Sequence, residues 1–161
     1  MTVLVPMRAE SFAGFFEQAV AGYAADNVAS GRWLAHEAVQ LARAETERLL
    51  PHGVATPDHH LYDIKACADG DTVGHLWFAA LPRGGRRIAY LFQIEVYPSF
   101  RRRGHARAAL NALEPLAGTL GLFEIALNVF GSNAEAQWLY RTAGYDVTSI
   151  SMHKHLSPDG A

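Results

Sequence analysis

The sequence predicts a mixed α/β (α+β) fold built on one sheet, and three observations carry that expectation. Apolar residues recur at helical spacing between Phe12 and Leu49, and they alternate or run continuously, as in strands, between Tyr62 and Val96. Beyond Pro98 helical and strand patterns take turns. No internal repeat, linker or low-complexity tract interrupts this order, and 161 residues suit a single domain spanning 1–161.

The elements follow in order. A short apolar piece, Val3 to Val5, ends at Pro6. Phe12, Phe15, Phe16, Ala19 and Tyr23 then line one stripe of a first helix, punctuated by Ser30 and Gly31. Leu34, Ala38, Leu41, Ala42 and Leu49 mark a second helix, which stops at Leu50 because Pro51 disfavours helical geometry in the residue before it. Residues 51–59 read as a loop. Tyr62, Ile64 and Ala66 alternate, and Asp69-Gly70 separates them from Thr72 to Leu81, which predicts two strands joined by a tight turn. A second turn over Pro82 to Gly85 leads into Arg87 to Val96, whose apolar and aromatic run suits a strand in the middle of a sheet.

After Pro98 a helix is expected from near Gly104, with Ala106, Ala109, Leu110, Leu113, Leu116, Ala117 and Leu120 on one side and Gly121 at its end. Pro115 lies inside it, where a missing N–H and a ring clash predict a kink or local break. Leu122 to Val129 reads as another buried strand. Ser132 followed by Glu135 reads as a capping box for a helix through Ala143, closed by Gly144. Tyr145 to Leu156 alternates as a last strand or hairpin arm.

Composition narrows the function. Fourteen Lys and Arg against sixteen Asp and Glu give a net charge of −2, without the global basic field of a nonspecific nucleic-acid or membrane-surface binder. No nucleic-acid or membrane partner is therefore expected. The single cysteine, Cys67, excludes an internal disulfide and fits a reducing compartment, so a cytoplasmic location is expected. Met1 to Glu10 shows no basic segment followed by a long apolar stretch, and Leu76 to Leu81, the richest apolar run, is far too short to span a membrane. His52, His59 and His60 have no carboxylate or cysteine partner at ligand spacing, so no metal site is expected.

The chemistry concentrates between Val96 and Ala106, where a strand end, a basic loop and a helix start succeed one another. Unpaired N–H groups and the positive dipole end of a helix attract anions, and Gly104 and Ala106 let a pyrophosphate approach the backbone. Arg101, Arg102 and Arg103 either add charge-assisted contacts or form a solvated basic face.

The loop resembles the coenzyme-A loop of the Gcn5-related N-acetyltransferase superfamily: Arg or Gln, two residues, Gly, one residue, then Gly or Ala. Arg101, Gly104 and Ala106 stand in those places, preceded by Val96-x-Pro98 and Phe100. Asn133, Ala136, Leu139, Tyr140, Gly144 and Tyr145 match a second pattern of that superfamily. Upstream, Leu49-Leu50-Pro51-x-Gly53, Thr56-Pro57-x-His59-His60-Leu61 and Val73-Gly74-x-Leu76-Trp77 look like a bacterial subgroup of mostly uncharacterised members, so the resemblance covers nearly the whole chain.

The resemblance implies a sheet splayed at its central strand and flanked by helices, with acetyl-CoA as donor and a small-molecule or peptide amine as acceptor. It implies that the backbone of Ile94, Glu95 and Val96 pairs with the pantetheine arm like an added strand. It also implies that Arg101, Arg102, Arg103, Gly104, His105, Ala106 and Arg107 form the pyrophosphate loop, that Asn133 and Ala136 line the arm, and that Tyr140 stands near the sulfur as an acid. A homodimer is expected at the level of the superfamily. A noncatalytic module that binds coenzyme A as a regulatory ligand fits the same loop without needing Tyr140 or a base.

On the acceptor side, transfer needs a neutral amine, and Glu95 is the only carboxylate on the central strand. It can act as the base, or form a salt bridge or hydrogen bond on the face opposite Ile94 and Val96. Gln93, Asn128 and His60 are candidate acceptor contacts; Asn128 is an amide where some relatives carry a base, and an amide cannot serve as one. Cys67 has no histidine beside it in the pattern, which favours direct attack in a ternary complex over a cysteinyl intermediate.

Overall fold

The structure, a computed structural model, describes residues 1–158. Along the chain run β1 (Val3–Pro6), α1 (Phe12–Ala29), α2 (Ala35–Leu49), β2 (His59–Lys65), β3 (Thr72–Arg83), β4 (Arg86–Val96), α3 (His105–Thr119), β5 (Ile125–Leu127) and α4 (Ala134–Thr142). The five strands lie in the sheet in chain order. All pairs are antiparallel except β4 with β5, which is parallel because α3 carries the chain back across the sheet.

Two cores sandwich this sheet. On one face Phe78, Leu76, Ile64 and Leu91 pack against Ala109, Leu110, Leu113 and Ala117 of α3. Burying each large side chain there contributes about 1.5–3 kcal/mol. On the other face α1 lays Phe15 and Ala19 against Leu61 and Trp77, while its Val20 and Ala24 meet Ala38 and Ala42 of α2. Serving two partners explains why α1 is apolar around so much of its circumference.

Four local expectations are corrected. Of the kink or break expected at Pro115, the break is ruled out, since α3 continues through it to Thr119. Pro115 and Asn111, whose carbonyl loses its helical donor, are both exposed, so solvent takes that carbonyl. The strand expected over 122–129 shrinks to Ile125–Leu127, since Leu122 is buried as the anchor of the α3 exit and the pairing with β4 ends at Leu91–Leu127. The cap of α4 is Asn133 rather than Ser132, its Oδ1 accepting from the Ala136 N–H at 3.1 Å. Residues 145–156 form no strand, and from Asp146 onward the described residues are exposed.

A smaller difference concerns the hairpin between β3 and β4. Pro82 and Arg83 pair with Arg87 and Arg86, so the turn contracts to Gly84-Gly85, whose φ values of 55° and 77° suit a two-residue turn of the kind that matches strand twist.

Candidate active site

The site begins with a bulge. Trp77 pairs with Gln93 and Phe78 with Leu91, which leaves Phe92 as the extra residue of β4. The bulge follows directly on Leu91, the last residue that β4 pairs with β5. A bulge bends its strand and increases the twist, so β4 turns away from β5 there and the two strands splay. Among the described residues, no strand pairs with Phe92–Val96 on the side away from β3. This stretch includes Ile94, Glu95 and Val96, and apart from the Val96 carbonyl, which accepts from Arg101, it is open to an extended ligand that hydrogen-bonds as a strand would.

The splayed strand leads into the basic loop. Arg102 and Gly104 hold φ values of 64° and 82°, so the loop curls its N–H groups inward just before α3. A Cβ added at Gly104 would meet nothing within 4 Å, so the left-handed φ, and not crowding, requires glycine. The space in front of the helix start is therefore open. Ala108 N–H bonds the Gly104 carbonyl, while the N–H groups of His105, Ala106 and Arg107 belong to the first turn, which a helix cannot satisfy internally. The residues present thus fit an anionic phosphate group.

The arginines divide. Arg102 pairs with Glu135 at 3.2 Å, both largely exposed, an ion pair of small worth that a phosphate can displace. Arg103 lies over the Phe100 ring at 5.8 Å and Arg107 over Trp138 at 5.7 Å, with a further hydrogen bond from Arg107 to Thr142. The His105 ring is engaged with Thr2 Oγ1 at 2.9 Å. Arg101 instead turns back to the strand end: its Nε donates to the Val96 carbonyl at 2.8 Å, and its Nη2 lies 3.9 Å from Glu95 Oε1.

Glu95 stands on the α1 face, and the bulge decides what surrounds it. Phe92 stacks on Trp77 with ring centroids 4.6 Å apart, while Gln93, on the same face, donates to Glu95 Oε2 at 3.4 Å. Burial raises the Glu95 carboxyl above its ordinary value; Arg101 counters this and Asp26 adds to it. A carboxylate poised upward in this way suits a base better than an ordinary surface glutamate. Asp26 is itself raised by burial.

The sequence reasoning missed His75, which β3 places directly opposite Glu95. Its ring is fully buried, edge-on to Phe15 at 4.8 Å, and neither nitrogen has a hydrogen-bond partner. Nε2 lies 3.6 Å from Glu95 Oε2, and burial pushes the imidazole down to about 4, so it is neutral near pH 7. The signal was available: His75 is the polar residue of a buried apolar run and shares the alternation of Trp77.

The remaining candidates divide between the two faces of the sheet and α4. His60 lies opposite Phe78 and stacks on it at 4.8 Å, which puts it on the α3 face, away from Gln93 and Glu95. His59 takes the α1 face instead, its Nδ1 accepting from the Trp77 indole at 3.0 Å. Asn128 is exposed just beyond β5. Tyr140 borders the α3-side core together with Ile94 of β4 and Leu127 of β5, the strands that flank the splay. Its ring lies 5.6 Å from Tyr145, and burial pushes its phenol up to about 12. Tyr145 Oη, also raised to about 12, is buried without a partner. Ala136 is half-buried on the same helix, and Asn133 Oδ1 is committed to the cap. Among the described residues no group of three or more metal-ligating side chains comes together, and no helix is long and apolar enough to cross a membrane.

Comparison with known proteins identifies the family and the fold. Residues 26–145 match the acetyltransferase (GNAT) family. The chain is 35% identical over 157 residues to the uncharacterised N-acetyltransferase YycN of Bacillus subtilis (strain 168), covering 97% of this chain and 100% of that protein. It is 33% identical over 153 residues to YdgE of the same organism, another uncharacterised N-acetyltransferase, covering 95% and 97%. The crystal structure of YycN superposes with a TM-score of 0.92 at 34% identity, over 98% of this chain and 99% of that one. The structure of AAC(6')-Iy in complex with the bisubstrate analogue CoA-S-monomethyl-acetylneamine shares the fold, with a TM-score of 0.63 at 18% identity over 98% and 99% of the two chains.

Proposed function

The chain belongs to the GNAT acetyltransferase family, and from that premise we propose that this N-acetyltransferase moves an acetyl group from acetyl-CoA to a primary amine by direct attack in a ternary complex. The observation that carries the reading is the splay at Phe92: one bulge frees the Phe92–Val96 edge for a pantetheine arm and leads straight to the open helix start at Gly104. Supporting it, the bulge and strand alternation put Glu95 and Gln93 on the α1 face, while Ile94 and Tyr140 border the core of the other.

In this reading the backbone of Ile94, Glu95 and Val96 holds the arm. The first turn of α3, with Arg102, Arg103 and Arg107 around it, neutralises the pyrophosphate. Glu95, directly or through water, takes a proton from the ammonium of the acceptor, and Gln93 steadies the carboxylate. The freed lone pair forms the N–C bond as the C–S bond breaks, the sulfur leaves with the electron pair of that bond, the second amine proton passes to solvent, and a backbone N–H of the sheet stabilises the carbonyl oxygen as charge develops. Tyr140 donates its hydrogen bond to the departing sulfur. At about 12 the phenol is a weaker acid than a thiol at about 8.5, so it acts by stabilising the thiolate rather than by holding it protonated. The resemblance implies an acid, and a phenol raised this far serves as a hydrogen-bond donor instead.

The test is thiol release from acetyl-CoA with a panel of primary amines, comparing the wild type with Tyr140→Phe. The reading expects kcat to fall at least tenfold while acetyl-CoA affinity is kept. Equal turnover under every acceptor would remove Tyr140 from the chemistry.

A further inference from the structure

A buried imidazole is costly to keep. Its neutral form carries one N–H and one bare nitrogen, and both lose their water when the ring is enclosed. His75 is fully buried in β3, yet neither Nδ1 nor Nε2 has a hydrogen-bond partner among the described residues. A phenylalanine would suit the apolar run of β3 and strand no polar atom, so the imidazole calls for an explanation.

Asp63 of β2, His75 of β3 and Glu95 of β4 stand in one row across the sheet. Of the two carboxylates it is Glu95 that comes close, with Oε2 3.6 Å from His75 Nε2. The ring is held in place, since Phe15 of α1 meets it edge-on at 4.8 Å and Tyr97 packs at 6.0 Å. The Glu95 side chain is longer, partly exposed and free to swing. Closing the gap to hydrogen-bond length takes about half an ångström, and contacts of catalytic groups commonly tighten when substrates bind.

We infer that His75 is a positioning residue for acetyl transfer: its Nε2–H donates to Glu95 Oε2 in the working enzyme, anchors that oxygen and leaves Oε1 to take the proton of the acceptor amine. Gln93 Nε2 donates to the same Oε2 at 3.4 Å, so two neutral donors hold one oxygen. Oε1 faces Arg101 Nη2 at 3.9 Å, and the Nε of that arginine is committed to the Val96 carbonyl. A second cation beside the carboxylate would depress its basicity, whereas an imidazole kept neutral by burial orients it at a smaller cost. The proton passes from the amine nitrogen to Oε1, and the imidazole keeps its own throughout. This role rests on Glu95 being the base of the proposed transfer. Burial raises the Glu95 carboxyl, Arg101 lowers it and Asp26 of α1 adds to the rise. Around His75 stand Glu95, Asp63 and Tyr97, whose phenol burial raises, with the two carboxylates adding to it. Substitution of His75 leaves all of these in place.

The test compares kcat and kcat/KM profiles against pH for the wild type, His75→Phe, His75→Gln and Glu95→Gln. Losing a donor to the charged carboxylate raises its pKa, so His75→Phe should move the acidic limb up by about half a pH unit or more and lower kcat about tenfold, with the KM for acetyl-CoA unchanged. In His75→Gln an amide nitrogen reaches the place of Nε2, and the limb should return towards the wild-type position. A folded His75→Phe with the limb in place, or a Gln variant no better than Phe, overturns the role of His75 while Glu95 stays the base. If Glu95→Gln itself keeps the wild-type profile, the base is elsewhere and this role falls with it. Nitrogen-15 spectra of the wild type cover the case in which His75→Phe does not fold. They should show the proton of His75 on Nε2, with a resonance that shifts as Glu95 titrates and no longer shifts in Glu95→Gln. A proton on Nδ1, or an Nε2 blind to Glu95, overturns the inference.

Discussion

His75 and Glu95 face each other across the β3–β4 ladder, Nε2 to Oε2 3.6 Å apart, the imidazole wholly buried and the carboxylate 29% exposed. The distance is too long for a hydrogen bond. The pair joins the core under α1 to the edge of the splay, so one residue reports on stability and its neighbour on chemistry.

For His75 the consequence is an acid-sensitive fold. Its pKa falls from 6.5 to about 4 on folding, so below pH 6.5 the unfolded chain binds a proton that the native chain refuses. Stability is complete above about pH 6.5 and declines towards pH 4, by about 3 kcal/mol from this group. The carboxyls of Asp26, Asp63 and Glu95 are shifted upward by partial desolvation and oppose the decline, so the comparison with His75→Gln is what isolates it. Urea unfolding at pH 7.5 and 5 should show a larger acid loss in the wild type than in the variant; parallel losses would refute the assignment.

For Glu95 the consequence is kinetic. A base works only when deprotonated, so with its carboxyl raised by burial the acidic limb of the kcat/KM profile should lie above the ordinary carboxylate range. Replacing it by Gln should lower kcat/KM by about 100-fold or more and flatten that limb. An unchanged profile with a good acceptor would show that another group takes the proton.

Gly74 faces Val96 in the ladder, and a Cβ there would run into the backbone carbonyl of Glu95. Since backbone cannot swing aside as a flexible side chain does, Gly74→Ala should force β3 and β4 apart and cost about 3 kcal/mol. Thermal unfolding measures the loss. A variant as stable as the wild type would mean that this end of the sheet is not closed as described.

Much of this was legible in the sequence because it rests on short-range signals. Gly104 could be placed at a helix start from the loop pattern, and the structure finds it there at a φ of 82°. The Arg87 to Val96 run marked the strand that the site is built on. What the sequence did not reveal depends on register. The extra residue at Phe92 moves Gln93 to the same face as Phe92, and no local pattern announces it. His60 and His59 are adjacent in sequence, yet pairing with β3 sends them to opposite faces, and which of the two takes the α1 face is a matter of strand parity. His75 interrupts its apolar run as a polar residue, but only the ladder sets it against Glu95. The segment after Gly144 carries a strand's alternation, but alternation does not say whether a partner is present in the same chain.

The central claim, that the splayed strand and the α3 start hold acetyl-CoA, is tested most directly by calorimetric titration of the purified protein with acetyl-CoA beside a Gly104→Glu variant. At a φ of 82° glutamate strains the loop, and its side chain brings bulk and negative charge to the proposed pyrophosphate position. The account predicts saturable binding by the wild type and its loss in a variant that remains folded by circular dichroism. A folded wild type, free of carried-over coenzyme, that binds no acetyl-CoA, or a folded variant that binds it equally well, would contradict it.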